Sequence, residues 1–421
     1  MGKLSRRDVL KAGAVSSTAA FMGCVPEVYA GGQEATIKIA LVGCGGRGTG
    51  AAENCLNAAE NVQLVALGDM FPEKVDATAK QLKSHAGFKV PAENVFTGFN
   101  AYQKVLQSSA DLVLFATPPG FRPMHFEAAV AAGKHVFLEK PVAVDPAGVR
   151  KVIETGKKAA AKKLAVVAGT QYRHQTSFME TVKRVHDGAI GELRGGRAYY
   201  NTGALWFKER AAGMSEMEWQ IRNWLYFDWL SGDHFVEQHI HTIDATDWMM
   251  NGRPVSAVGT GGRAVRTGDQ FGNIWDHFTV DYEYAKKTHV MSMARQWANT
   301  TGYVNAEFDG TKGSVDLYKA EIYDLDGKRT WKFDGTISIA KAYVQEHTDL
   351  INSIRAGKPL NESEQVAHST LTAILGREAA YTGKKITWQE ILESELDLSP
   401  EKYELGENPV RPVPVPGKPR Q

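Results

Sequence analysis

Ile39-Ala-Leu-Val-Gly43-Cys-Gly45-Gly-Arg-Gly48 decides the fold when it is read with Asp69. An apolar run, Thr36 to Val42, leads into Gly43-x-Gly45-x-x-Gly48. Asp69 follows about 20 residues on, at the end of a second apolar run, Val62 to Gly68. That is the spacing of a dinucleotide-binding βαβ unit. Gly43 permits the tight turn, Gly45 lets backbone approach a pyrophosphate, and Gly48 lets helix and strand pack closely. With Gly46 and Arg47 these residues form the expected phosphate turn, whose helix offers free N–H groups and a positive dipole end. Asp69 is positioned to accept from ribose hydroxyls. A carboxylate there repels a 2′-phosphate, so the expected cofactor is NAD rather than NADP.

Outward from this unit the chain alternates strand and helix from about 36 to 172. Apolar runs recur at 37–42, 63–67, 111–116, 136–138 and 164–168, with amphipathic stretches at 72–85, 124–132 and 145–162 between them. This predicts a doubly wound parallel sheet of the Rossmann kind, within an α/β chain. Thr117-Pro118-Pro119 closes one strand at its carboxyl end, beside the expected cofactor, with His125 on the helix that follows.

The character changes over 173–395. A helix (177–187) and a strand (192–201) precede an aromatic, irregular segment, 206–230. A helix, 233–250, then gives way to short strand-like runs at 255–265, 276–284, 288–295, 304–309, 314–317 and 321–323. These predict an α+β domain with an open, mainly antiparallel sheet. Helices at 343–356 and 364–382 follow and are candidates to pack back on the first domain. Residues 396–421 read as a Pro-rich tail without a core of its own.

The 421 residues are enough for two ordinary domains, and 43% apolar with 23% charged residues is a globular composition. Net charge is +1, and −1 without the first thirty residues, which favours neither nucleic acid nor an anionic membrane. Those first thirty residues read as a targeting segment. Ser5-Arg-Arg-Asp-Val-Leu-Lys11 matches a twin-arginine signal, a mildly apolar stretch follows, and Val28-Tyr-Ala30 is a small-residue cleavage site. Cys24 offers a lipidation alternative. No transmembrane segment is expected in the mature chain, and the expected location is the periplasm or beyond. A dinucleotide fold exported already folded must carry its cofactor with it, so the cofactor is expected to be held tightly and regenerated in place. Cys44 and Cys55, roughly 13–15 Å apart on helical rise, cannot pair and are expected to be inert.

Two constellations carry chemistry. Glu139-Lys140-Pro141 follows a strand at the carboxyl edge, where a nicotinamide should lie. Lys140 can donate to a substrate oxygen and stabilise negative charge on it, and Pro141 sets the chain direction, through a cis bond if one forms there. In Gly232 to Asp244, a continuous helix would put Glu237, His241, Asp244 and Trp248 on one stripe, with Asp233 as N-cap. His241 can take a proton from an alcohol near neutral pH. His234, His239, His241 and Glu237 also suggest a metal site, but His239 and His241 point to different sides of a helix, and no metal is expected. Tyr172 and Arg173 can reach the cleft. Trp206, Trp219, Trp224 and Trp229 read either as a sugar-facing wall, with Arg222 and Asn223 on the hydroxyls, or as a tryptophan-rich core lid.

The glycine turn, Glu139-Lys140-Pro141 and His241-x-x-Asp244 together resemble the Gfo/Idh/MocA family, over about 38–391. The resemblance implies a Rossmann domain, a sheet domain that commonly forms homodimer or homotetramer contacts, and a lysine and histidine working at a sugar hydroxyl beside NAD. Lys140 and His241 match those positions. Glu237 stands where many members carry aspartate. The expected activity is oxidation of a sugar, polyol or glycoside hydroxyl. The expected catalytic residues are Lys140, His241, Glu237 and Tyr172, with Arg173, Asp244 and Trp224 on the carbohydrate substrate. The alternative is a redox-neutral glycosidase that oxidises, eliminates, hydrates and reduces, with Tyr172, His174 or Glu237 as the second base.

Overall fold

A computed structural model describes residues 35–418. The twin-arginine stretch, Cys24 and the Val28-Tyr-Ala30 site lie outside the described residues. Six parallel strands form the first sheet: β1 (Ile37–Val42), β2 (Val62–Asp69), β3 (Val95–Thr97), β4 (Leu112–Phe115), β5 (His135–Leu138) and β6 (Val166–Ala168). Their order is β3-β2-β1-β4-β5-β6, so the chain reverses direction across the sheet between β1 and β4. Helices cover both faces, which is why the strands read as continuous apolar runs. Ile39, Leu41, Leu112 and Leu114 enter one core, whereas Ala40, Val42, Val113 and Phe115 enter the other. Each fully buried Leu or Ile contributes about 1.5–3 kcal/mol.

The second sheet has nine strands: β7 (Leu193–Thr202), β8 (Ser256–Gly262), β9 (His277–Glu283), β10 (His289–Gln296), β11 (Tyr303–Gly310), β12 (Gly313–Asp316), β13 (Glu321–Asp324), β14 (Arg329–Lys332) and β15 (Ile386–Thr387). They run in the order β14-β13-β12-β11-β7-β10-β9-β8-β15. Only the β7–β10 pair is parallel, so the sheet is mixed and mostly antiparallel. The short edge strands β3, β14 and β15 have no apolar run to announce them. Their residues are half-exposed or exposed, with one partly buried side chain in each (Phe96, Trp331, Ile386) against the core.

Two late helices tie the sheets together. Ser363–Thr382 is buried on nearly all sides and packs on the helix Pro146–Ala161 and on β8 and β9. Its Arg377 donates to the carbonyls of Val144 (2.8 Å) and Gly232 (3.0 Å), one from each half of the chain. Ile339–Arg355 returns to the first sheet and packs on the helix Gly46–Ala58, with Leu350, Ile351 and Ile354 in its core. After Glu393 the chain has no helix or strand up to 418, but it is anchored: Leu398 is buried, and the Trp275 indole donates to the carbonyl of Pro414 at 3.1 Å.

The long helix expected over 233–250 is broken in two. Asp233–Glu237 ends, and Ile240–Met249 begins after a wide turn in which the His239 amide reaches back to the carbonyl of His234 (3.2 Å). Asp233 is not the N-cap expected of it. It adopts φ +70°, and its carboxylate accepts from the backbone of His234 and Trp275 and from the hydroxyl of Tyr381.

The phosphate turn is the least tolerant point of this fold. Gly43 has φ +98°, and a Cβ on Gly48 would lie 1.7 Å from the carbonyl oxygen of Gly43. Gly48→Ala is therefore expected to cost about 2–4 kcal/mol of stability and to abolish dinucleotide binding, read by thermal unfolding and by NADH fluorescence titration.

Candidate active site

The glycine turn lies at the carboxyl end of β1, and the helix behind it starts at Gly46 with no side-chain cap and no acidic residue in its first turn. Its first N–H groups therefore remain available to an anion. A Cβ on Gly45 or Gly46 would meet nothing within 4 Å, whereas one on Gly43 or Gly48 would strike backbone. Open space on one side and tight packing on the other is the shape a pyrophosphate requires. Asp69 ends β2 and accepts from the amides of Cys44 (2.6 Å) and Phe71 (2.9 Å). Burial pushes its pKa up, and those two amides pull the other way. These residues line a groove of about 590 Å³ that continues past Thr117, Pro118 and His125. His125 is buried among Tyr102, Phe115 and Phe121, and burial drives its pKa down to about 3, so it stays neutral.

Beyond that groove, at the end of β5, Arg47 of the phosphate turn forms an ion pair with Glu139. Arg47 also reaches the fully buried Glu346 at 3.2 Å and lies over the Tyr343 ring at 4.3 Å. Burial and the adjacent Glu139 raise the Glu346 pKa well above its ordinary value. The Lys140–Pro141 bond is cis. Arg122, itself buried, donates to the carbonyl of Pro141 at 2.5 Å. The Lys140 ammonium donates to the Glu237 carboxylate at 3.1 Å and to its backbone carbonyl at 2.7 Å. The helix break makes this possible: Glu237 ends the first piece, where its carbonyl has no helical partner and turns to the ammonium.

His241 opens the second piece. Its ring stands edge-on to Tyr172 at 5.7 Å and nearly parallel to Tyr200 at 6.4 Å. Burial, then the charges of Lys140 and Arg47, hold its pKa well below 6.5. A neutral imidazole and a fixed ammonium, one from each half of the chain, thus act on each other electrostatically.

Residues 37–168 match the oxidoreductase family with an NAD-binding Rossmann fold, and residues 178–316 match the GFO/IDH/MocA C-terminal domain. The chain belongs to the Gfo/Idh/MocA family. It is an NAD-dependent oxidoreductase. An uncharacterised oxidoreductase of Streptococcus pneumoniae is 22% identical over 395 residues, 85% of this chain and 100% of that one. Inositol 2-dehydrogenase of Rhizobium meliloti is 25% identical over 286 residues (66% of this chain, 75% of that one). A glycosyl hydrolase family 109 protein of Solibacter usitatus is 29% identical over 208 residues (48% and 47%). Scyllo-inositol dehydrogenase of Lactobacillus casei, solved with NAD(H) and scyllo-inositol, shares the fold with TM-score 0.65 at 22% identity, over 84% of this chain and 99% of that one.

Several residues expected at the substrate of this oxidoreductase are used elsewhere. Arg173 and Asp244 are paired with each other at 2.9 and 3.0 Å. Asp244 is buried and also accepts from Gln365 and Ser369, both at 2.6 Å, so its oxygens are occupied within the protein. Trp248 completes the clamp, 5.0 Å from the Arg173 guanidinium. Trp224 lines the nucleotide groove with the glycine turn instead of the Lys140 end. Trp219 and Trp229 are core, and Asn223 is buried, bonded to Lys208 in both directions. His234 is held by Asp233, and His239 by Ser292 and Thr242, so neither shares a ligand set with His241. Cys44 and Cys55 are buried free thiols.

Sequence reasoning missed Tyr200, Tyr343, Glu346 and Arg122. Tyr200 carried a signal, because alternation along β7 sends Tyr199 and Tyr200 to opposite faces. Tyr343 and Glu346 lie one helical turn apart, about 300 residues from the turn they touch, which no local pattern reveals.

His174 is excluded as a base. It is buried between Asp349 (2.7 Å) and Glu362 (3.2 Å). Burial opposes its charge, but the two carboxylates prevail and raise its pKa to about 10. Because the folded value lies above the ordinary 6.5, the charge stabilises fully below about pH 6.5 and is lost as pH rises through about 10. Urea unfolding of wild type and His174→Gln across that span should show the wild-type advantage constant in acid and shrinking in alkali.

Proposed function

We propose that this oxidoreductase removes hydride from the carbon that bears a secondary hydroxyl of a sugar, polyol or glycoside. The observation that carries this reading is the Lys140 ammonium, held by the carboxylate and the backbone carbonyl of Glu237, whose charge helps to keep the ring of His241 neutral. The inositol-specific relative and the polyol-bound neighbour support the substrate class. His241 takes the hydroxyl proton, since burial and its cationic neighbours keep a lone pair free. Lys140 stabilises the charge that develops on the oxygen. Glu237 is not a proton carrier here: it holds the ammonium in place and balances its charge. Tyr172 and Tyr200 flank His241 and bound the space left for the ring of the substrate. When bound, NAD supplies the acceptor for the hydride.

We further infer that the cofactor is retained and turned over in place by a second carbohydrate. The twin-arginine stretch supports export of a loaded, folded chain to the periplasm. Val258, Met291 and Tyr303, all on one face of the nine-stranded sheet and each more than 40% exposed, support a homodimer or homotetramer.

Lys140→Ala is expected to slow reduction of bound NAD by inositols or sugars by about 10²–10⁴-fold while the cofactor stays bound. Stopped-flow absorbance of the nicotinamide measures this, and unaltered rates would remove Lys140 from the chemistry.

The redox-neutral glycosidase remains a second reading because of the family 109 relative. Of its three candidate bases, His174 is charged, Glu237 is paired with Lys140, and burial pushes the Tyr172 phenol up, so none of the three stands ready to accept a proton. A chromogenic glycoside separates the two chemistries: oxidised but intact glycoside supports the dehydrogenase, and free aglycone with no net change in NAD supports the glycosidase.

A further inference from the structure

The segment 205–224 belongs to the second half of the chain, yet it forms a wall of the nucleotide groove. Two contacts place it on a particular side. The Arg222 guanidinium lies 3.7 Å from the Phe71 ring and pairs with Glu73, just past the end of β2. The pKa of the Lys208 ammonium is lowered, by burial first and next by the charge of Lys74 on the helix Pro72–Leu82 that carries Glu73. In this strand order the β2 side takes the adenosine half of a dinucleotide and the β4–β5 side takes the nicotinamide. The tryptophans of this segment therefore lie at the opposite end of the cofactor from Lys140 and His241.

Their surroundings fit a flat, apolar ring. Trp206 and Trp224 line the groove together with Phe71 and Phe99. Trp206 is 43% exposed, an unusual state for a tryptophan that borders a cavity. The segment has little helix or strand before Glu216, but it is held in place. Buried Asn223 donates to the carbonyl of Lys208 at 3.0 Å and accepts from its amide at 2.9 Å, and Tyr226 donates to the carbonyl of Trp206 at 2.8 Å. These bonds fix the backbone that carries Trp206, next to Trp224, before any ligand arrives.

We propose that Trp206 and Trp224, with the aliphatic stem of Lys208, form a platform for the adenine ring of the cofactor, supplied by the substrate half of the chain. Indole faces stack on a base in a geometry that tolerates close cover. The platform closes the end of the groove that Asp69 and Phe71 alone would leave to solvent. It makes the adenosine half the slow step in cofactor departure. This rests on the dinucleotide reading of the groove and adds to it a reason for retention that involves no substrate.

The test loads the full chain with NADH and follows its release by loss of nicotinamide fluorescence after a chase with excess NAD. Reduced nicotinamide mononucleotide, which lacks adenosine, is the parallel probe. Trp224→Ala and Trp206→Ala should each speed NADH release about 10- to 100-fold, as the loss of one stacked ring implies, and leave mononucleotide affinity unchanged. Trp224→Phe, which keeps a flat ring, should stay within a few-fold of wild type. NADH release at the wild-type rate in both alanine variants would overturn the platform alone. Equal weakening of both probes would also overturn it, as damage to the whole groove. A wild-type chain that binds no NADH would overturn the nucleotide reading beneath it.

Discussion

The ion pair between Lys140 and Glu237 is the point on which the two halves of this molecule depend. It joins the end of a parallel strand to the end of a broken helix 97 residues later. With both side chains little exposed, the pair has lost most of its hydration, and such pairs specify geometry more reliably than they add stability. Its surroundings follow the same logic. Arg173 meets Asp244, His174 sits between Asp349 and Glu362, and Arg47 joins Glu139 to Glu346. Apart from Arg47–Glu139, which lies within the first half of the chain, each of these crosses from the first sheet's elements to those of the second or to the late helices. An apolar interface could slide by a rotamer; a set of matched charges cannot, because a slip would leave several of them buried alone.

This arrangement settles the division of labour around His241. Cations on one side and burial on the other keep its ring neutral, and the carboxylates that might have charged it are engaged. His174, only a few residues after the strand that bears on the same cleft, meets the reverse situation and holds its proton. Two histidines thus have opposite charge states because one faces ammonium and guanidinium groups and the other faces carboxylates.

Much of this was legible in the chain. The glycine turn, the acid after β2 and the Lys-Pro step all rest on spacing within one βαβ unit, where backbone constraints act over a few residues. The stripe from Glu237 to Trp248 assumed one continuous helix, and the break after Glu237 takes that residue off it, so that only His241, Asp244 and Trp248 share a helix. What stayed hidden had partners far away in sequence. Nothing near Arg173 says that its carboxylate is Asp244, so both looked available to a substrate. The tryptophans of 206–229 announced an aromatic wall, and only the contact of Arg222 with Phe71 shows which end of the groove they border. Short edge strands such as β3 escaped because three residues with one partly buried side chain, Phe96, leave no alternation to read.

The helix Ile339–Arg355 comes late in the chain and packs on the phosphate-turn helix at its beginning, where Arg355 donates to the carbonyls of Ala35 and Glu60. The first sheet is therefore finished only when the last quarter of the polypeptide has been made. During synthesis a nascent nucleotide domain would wait, with an uncovered apolar flank, for some three hundred residues to emerge. A chain built in this way cannot be divided at one junction into two independent modules, and recombination that swaps its substrate half must carry a piece of the nucleotide half along.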